Sequence, residues 1–304
     1  MTDWRGKLQQ AQKNKADEFY TCRIEIEKEL PLYAESLKDK TVYINCDDQS
    51  FSEFWFYLTE KFHEYKLKKL YCSWLGGSLI EYDGTVGTES FLFGDEECQA
   101  GDFRSRECLA VVDKSDIVIG NPPFSIIRDF IKATLERGRD VLIIAPALLC
   151  TYKDTYHYFQ DGILTFGYHQ PRHYFCKYEN KELSVGAAMW VTSLKAKKMK
   201  MTTKEVYDET KEYPKYDNYD AYDCSDLKRF PKGFKGRIGV PVTIFKYLQP
   251  EGGNSFTLDG QKIKVLGLGK EFCADELKIK KYNNRRILSL RNKFLFGRVI
   301  LECE

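Results

Sequence analysis

No run of 18 apolar residues occurs anywhere in this 304-residue chain, so the sequence offers no segment that would cross a bilayer as a helix. The opening Met1-Thr-Asp-Trp-Arg leads into polar sequence and lacks the apolar stretch of a secretory signal. Ten cysteines are present, but none forms a Cys-x-x-Cys pair and none has a histidine at ligand spacing. That pattern argues against zinc or any other metal centre and for the reduced thiols of an intracellular protein. Internal repeats and low-complexity tracts are also missing. Together these absences lead us to expect a cytoplasmic protein with no membrane partner.

A large charge excess is missing too, since the net charge is only +2. The balance conceals an asymmetry: residues 225–304 carry 17 Lys+Arg against 8 Asp+Glu, or +9, which leaves 30 against 37, or −7, for residues 1–224. A basic end beside an acidic remainder is how a phosphate-backbone footprint reads, although a solvated basic surface reads the same way. Hydrophobic residues make up 43% of the chain, enough for a sizeable core; most of the 20 Tyr, 20 Phe and 4 Trp are expected in that core, with some free to serve as base-stacking platforms. The length suits one large α/β domain or a catalytic domain with an appendage.

Residues 116–124, Asp-Ile-Val-Ile-Gly-Asn-Pro-Pro-Phe, organise the rest. Ile117–Ile119 read as a strand buried on both faces, and Gly120 ends it. Pro122 and Pro123 fix φ and supply no N–H, so the chain leaves the sheet in a stiff extended form. Ser125 is the candidate N-cap of a helix with Ile126, Ile127, Phe130, Ile131 and Leu135 at helical spacing, and Gly138 is its candidate stop. Asn121 therefore falls at the carboxyl end of a parallel strand, where open α/β sheets bind ligands. An exocyclic adenine amine is a poor nucleophile because its lone pair is delocalised into the ring. The Asn121 amide oxygen and the Pro122 carbonyl are suited to accept its two hydrogens and aim the lone pair at a methyl donor. Phe124 would stack on the base, flipped out of a duplex. The bland alternative is a buried strand ending in a Pro-Pro turn, with Phe124 in the core.

Asn121-Pro122-Pro123-Phe124 after an apolar strand resembles the catalytic motif of S-adenosylmethionine-dependent amino methyltransferases. Gly101-Asp102-Phe103-Arg104-Ser105 and Tyr216-Asp217-Asn218-Tyr219-Asp220-Ala221 narrow the resemblance to the EcoRI-type adenine-specific DNA methylases, along most of the chain. The resemblance implies a Rossmann-like α/β fold, a doubly wound and mostly parallel sheet, with a basic C-terminal recognition region. It also carries cofactor roles onto Phe19, Tyr20 and Thr21, ahead of a helix over about 22–37. For these, the alternative is a helix N-terminus capped by Thr21.

Thr41–Asn45 reads as the first strand and closes in Cys46-Asp47-Asp48, where most methyltransferases place a Gly-rich turn. The EcoRI-type family is similar in having Cys-Asp-Asp there. Asp47 would then accept from the cofactor's ammonium, unless it simply caps a helix over 50–62. Leu67–Ser73 reads as the second strand; it ends in Cys72-Ser73-Trp74 rather than an acid, leaving the ribose ligand unassigned. Residues 76–100 look like a hairpin with an Asp83-Gly84 turn. By resemblance Asp102 accepts from the cofactor's adenine amine and Phe103 packs on that ring, against the alternative of a cap and a core Phe.

Further strands are expected at Asp140–Ala145, Gly162–Tyr168 and Ala187–Leu194, with a polar and aromatic loop at His169–Phe175. Residues 3–16 read as a polar lead-in and 195–215 as a linker or solvated helix. Basic alternating strands are expected over 262–267 and 285–300. Arg285, Arg286, Arg291 and Lys293, with Arg298, are the candidate phosphate contacts.

The combined expectation is a catalytic domain over 1–200 and a recognition region over 201–304. The chain would methylate N6 of adenine at a specific site in double-stranded DNA, using S-adenosylmethionine. It would be bacterial or phage-encoded and monomeric, with a cognate restriction endonuclease sharing its site as a candidate partner that the sequence leaves open. RNA adenine or protein glutamine would suit the same chemistry, and an inactive DNA-binding relative is the rival of another class.

Overall fold

Short apolar runs alternating with amphipathic stretches between 41 and 146 build a layered α/β structure. The computed structural model describes residues 19–176, 181–184, 186, 188–195, 199–203, 205–295 and 297–304. The polar lead-in at 3–16 lies outside the described residues. The chain forms two compact units, Met1–Ala147 with Gly167–Ala196, and Leu148–Phe166 with Lys197–Glu304. The stretch Leu148–Phe166, which the sequence reading grouped with the catalytic domain, thus clusters with the second unit.

The first unit opens with strand β1 (Phe19–Thr21), helix α1 (Arg23–Glu29), a 3-10 turn at Leu30–Tyr33 and a short helix α2 (Ala34–Leu37). Pro31 sits in that 3-10 turn, so the single helix expected over 22–37 is broken into three pieces. Then follow β2 (Thr41–Asn45), α3 (Glu53–Glu60), β3 (Lys69–Ser73), β4 (Ser78–Tyr82), β5 (Gly87–Phe91), α4 (Arg106–Lys114), β6 (Ile117–Gly120), α5 (Ile127–Leu135) and β7 (Asp140–Pro146). Strands β8 (His173–Cys176), β9 (Lys181–Ser184) and β10 (Ala188–Thr192) complete it.

Within this unit the large sheet runs β5-β4-β3-β2-β6-β7-β10. β3, β2, β6 and β7 are parallel, whereas β4, β5 and β10 add antiparallel edges. β2 and β6 are buried along their whole length, as continuous apolar runs between two covered faces require. The core joins Ile26, Leu30, Val42, Ile44, Phe54, Ile117, Ile119, Leu142 and the fully buried Trp190. A second small sheet pairs β1 with β8, Tyr20 opposite Phe175, and β9 with the other edge of β8. The loop expected at His169–Phe175 is therefore half strand.

Two caps differ from the sequence reading. Ser52, rather than Asp47, caps α3 by accepting the Trp55 N–H at 3.1 Å. Helix α5 has Ile126 at its N-cap with no side-chain cap, so Ser125 does not cap it. Its buried face is Ile127, Phe130, Ile131 and Thr134, and Gly138 at φ +68° ends the following turn, its N–H donating to the Leu135 carbonyl.

The second unit is built on a sheet of β11 (Tyr222–Asp223), β12 (Gly236–Pro241), β13 (Gln249–Gly252), β14 (Ser255–Leu258), β15 (Gln261–Leu268) and β18 (Arg298–Cys303). Its order is β11-β12-β18-β15-β14-β13, antiparallel except for the β11–β12 pair. Between β15 and β18 the chain makes a small hairpin, β16 (Ser289–Leu290) and β17 (Lys293–Phe294). The long strand expected over 285–300 is thus broken up. Among the described residues of 195–215 there is no helix.

Candidate active site

Parallel strands β2, β3 and β6 all end on one edge of the sheet, and the residues just past each end meet there. They line a cavity of about 260 Å³: Cys46, Asp47 and Asp48 after β2, Trp74 and Leu75 after β3, and Asn121 and Pro123 after β6. Tyr20 reaches it from β1, Ser125 and Ile126 from the start of α5, and Gln99 and Gly101–Arg104 from the segment before α4.

Each wall has a local cause. Cys46 adopts φ +68°, the left-handed turn for which glycine is usually chosen, so the chain turns sharply after β2 without one. Asp47 accepts the Ser52 hydroxyl at 2.8 Å, and its N–H donates to the Ser73 carbonyl at 3.3 Å, which ties the β2 end to the β3 end. Asp48 accepts the Ser50 N–H at 2.9 Å and holds the turn into α3. Burial, with the Asp47 carboxylate beside it, pushes the Cys46 thiol up.

Gly101 has φ +76°, and a Cβ there would lie 1.8 Å from the Trp74 carbonyl oxygen. Only glycine lets the Asp102-Phe103 segment close against the end of β3. Phe103 is buried with its ring 5.3 Å from that of Phe130. Asp102 is 7% exposed and accepts from Arg104 three times, from N–H at 2.9 Å, Nε at 3.0 Å and Nη2 at 2.6 Å. The Arg104 guanidinium beside it holds the Asp102 carboxyl below the usual carboxylate range. An ionised carboxylate keeps further lone pairs, so it can still accept from an amino group.

Of the residues singled out by sequence, Tyr20, Cys46, Asp47, Asp48, Asp102, Phe103, Asn121 and Pro123 meet in this one cavity. Thr21 lines a separate, wider groove with Phe51, Phe56 and Phe175, and it does not cap α1, whose N-cap is Cys22. Phe19 opens β1. Pro122 is buried, and Phe124 is half-buried against the core rather than lining the cavity. Sequence reading missed Trp74, Leu75, Gln99 and Arg104. For Trp74 a signal existed, because it stands directly after the strand whose ribose ligand was unassigned; its indole Nε1 is buried with no hydrogen-bond partner among the described residues.

Compared with known proteins, the chain matches the family described as adenine-specific methyltransferase EcoRI over residues 7–303. The chain belongs to that family. It is 34% identical over 283 residues to the type II methyltransferase M.EcoRI of Escherichia coli, covering 80% of this chain and 86% of that one. To M.MpnI of Mycoplasma pneumoniae it is 31% identical over 266 residues, covering 79% and 82%. M.MgeORF184P of Mycoplasma genitalium matches at 28% over 266 residues. No solved structure matches the chain significantly.

The Tyr216–Ala221 segment lies in the second unit, where Tyr216 packs on β12. A Cβ on Gly239 would lie 2.1 Å from the Tyr216 hydroxyl, so Tyr216 and the Gly239-Val-Pro strand need each other. That hydroxyl donates to Asp223 at 2.6 Å, and Arg298 pairs with the same carboxylate at 3.1 Å. The Arg298 side chain is only 14% exposed and is engaged there, whereas Arg291 and Lys293 are exposed.

Proposed function

We propose that this adenine-specific methyltransferase acts on N6 of a flipped adenine in double-stranded DNA, at one specific sequence, with S-adenosylmethionine as the methyl donor. The observation that carries the reading is the meeting of Asp47, Asp102 and Asn121 in one cavity at the carboxyl ends of parallel strands. The Asp47 and Asp102 carboxylates on the wall suit a donor that bears an ammonium, a sulfonium and an adenine amine. Gly101 gives the close backbone approach such a cradle needs, and the buried Trp74 indole N–H is a further donor. Asp47 with Tyr20 would hold the amino-acid end, and Asp102 with Phe103 the adenine. Thr21, Cys46, Asp48 and Phe19 would support them.

Bound there, S-adenosylmethionine supplies an electrophilic methyl group. The chain's own part is positioning. The Asn121 side-chain oxygen and the Pro122 carbonyl accept the two hydrogens of the target amine, so that nitrogen pyramidalises with its lone pair free to attack. Pro123 keeps that segment rigid, and Phe124 stacks on the extruded base after a side-chain rearrangement. The proton lost from nitrogen passes to water, since the motif contains no histidine.

The same reading takes the parallel array as the centre of a Rossmann-like, doubly wound domain. It takes the basic second unit as the DNA-recognition region, through Arg285, Arg286, Arg291 and Lys293. It also expects a cytoplasmic monomer sharing its site with a restriction endonuclease. Among the described residues no helix is long and apolar enough to cross a membrane. The decisive experiment expresses the chain in a methylation-free bacterial host and sequences its DNA for N6-methyladenine, beside Asn121→Ala. Methylation at one short motif, absent in the variant, is expected. Unmodified DNA from a protein that still binds S-adenosylmethionine would redirect the reading to RNA adenine or protein glutamine.

A further inference from the structure

Residues 277–301 carry eight Lys and Arg and no Asp or Glu, the least balanced stretch of charge in the second unit. The backbone there makes two tight turns in succession. Tyr282 and Arg285 exchange backbone hydrogen bonds at 2.9 and 3.0 Å across Asn283 and Asn284, at φ +45° and +61°. Leu290 and Lys293 pair across Arg291 and Asn292, at φ +50° and +63°. Both are two-residue turns with φ positive at both central positions, the geometry that Asn-Gly satisfies most easily. The first uses Asn-Asn. The second puts an arginine where an L side chain is disfavoured.

The protein holds that second turn from outside the hairpin. Asp217 accepts the Asn292 N–H at 2.9 Å, the Arg291 N–H at 3.2 Å and the Ser289 hydroxyl at 3.1 Å. The buried Asn218 accepts the Ser289 N–H at 2.9 Å and donates to the Ile287 and Lys280 carbonyls at 2.8 and 2.9 Å. The Tyr282 hydroxyl donates to Asn292 at 2.9 Å, which joins the two turns. These contacts explain the Asp217-Asn218 part of the 216–221 segment, for which sequence offered no chemistry.

Charge pairing separates the cations. Arg285 pairs with Glu271 at 3.4 Å and Arg286 pairs with Asp275, whereas among the described residues no ion pair engages Arg291 or Lys293. Arg291, Asn292 and Lys293 are all exposed. A disfavoured backbone, clamped so as to present an unneutralised guanidinium at a hairpin tip, is a cost that folding alone does not explain.

We propose that the Leu290–Lys293 hairpin tip is a DNA-backbone contact, with Arg291 as the phosphate ligand and Asp217 and Asn218 as positioning residues that set its direction. This rests on the reading of the chain as a DNA methyltransferase and deepens it. A bidentate guanidinium on phosphate is the chemistry, and Lys293 adds charge beside it.

The test uses the full chain and a fluorescein-labelled duplex of mixed sequence, with affinity measured across a salt series. Arg291→Gly, which relieves the turn, is expected to keep or raise the melting temperature. It should weaken DNA binding roughly tenfold and make the log–log salt slope shallower by about one. Asp217→Ala is expected to weaken DNA binding while S-adenosylmethionine affinity stays at the wild-type value, and Asp217→Asn, which keeps an acceptor oxygen, is expected to recover part of it. Wild-type affinity and slope in Arg291→Gly would overturn the proposal. A loss confined to duplexes carrying the methylated motif would overturn the phosphate assignment and make Arg291 a base reader. If the wild-type chain itself bound no duplex, the DNA reading would fall, a result distinct from either.

Discussion

Replacing Gly101 by alanine tests the construction of the cavity at its tightest point. The new Cβ would sit 1.8 Å from the Trp74 carbonyl oxygen and 2.6 Å from its carbon, both backbone atoms with no rotamer to yield. At φ +76° the alanine also meets the left-handed penalty, roughly 1–2 kcal/mol. Forced displacement of packed backbone adds about 1–3 kcal/mol, and the lower entropy of the unfolded alanine chain returns about 0.5 kcal/mol. A net loss of about 2–4 kcal/mol should lower the melting temperature of a unit this size by roughly 5–10 °C. Gly138→Ala is the internal control, since φ is +68° there and nothing among the described residues lies within 4 Å of the added carbon. It carries the backbone penalty alone and should cost about 1 kcal/mol. Thermal denaturation of both variants, with titration calorimetry of S-adenosylmethionine, reads the difference. Affinity should fall at least tenfold in Gly101→Ala, because Asp102 and Phe103 move with residue 101, and stay unchanged in Gly138→Ala. Equal melting temperatures and wild-type affinity in both would refute the cradle.

Glu29 is fully buried and accepts from the Tyr33 hydroxyl, the Tyr168 N–H and the His169 N–H at 2.9, 2.7 and 2.8 Å, so Glu29→Ala strands these donors, at about 1–3 kcal/mol for each that stays buried, and should lower stability by at least that in urea denaturation. Asp102 has its carboxyl held below the usual range by Arg104, so its ionised form persists as pH falls and is lost only below the ordinary value near 4. Arg104→Gln removes that hold, and the acid limb of S-adenosylmethionine binding, followed by calorimetry, should move to higher pH. Asp223→Ala strands the 14%-exposed Arg298 and the Tyr216 hydroxyl, and should destabilise by about 3–5 kcal/mol while leaving S-adenosylmethionine affinity unchanged.

The parallel strands were readable because each is a short apolar run with little choice of partner. Val42–Ile44, Ile117–Ile119 and Val141–Ala145 are fully buried, and burial on both faces is what continuous hydrophobicity demands. Helix ends were harder. Ser125 looks like a cap in sequence, yet the Pro122-Pro123 segment carries the chain one residue further before helical geometry begins, and Ser125 is left exposed on the cavity rim. The basic alternation over 285–300 looked like strand because periodicity does not record φ. Four positive-φ residues, Asn283, Asn284, Arg291 and Asn292, turn the same residues into two tight loops.

The cavity shows the same division between local and long-range causes. Asn121 follows a strand end, so its place along the chain was enough to nominate it, whereas Asp47 and Asp102 were nominated by the family resemblance. Trp74 acts through a partner that spacing does not reveal: the approach of Gly101 to the Trp74 carbonyl joins residues 27 positions apart. The missing Gly-x-Gly after β2 is the most instructive case. Its absence implied a different turn, but Cys46 makes the left-handed excursion at φ +68° that glycine would make, and Asp47 is then fixed by Ser52 and the Ser73 carbonyl. A close backbone approach of the kind a glycine-rich turn usually provides is made instead at Gly101, against the end of β3. What the chain keeps is therefore the shape of the cradle rather than the glycine pattern, and shape is set by contacts between segments.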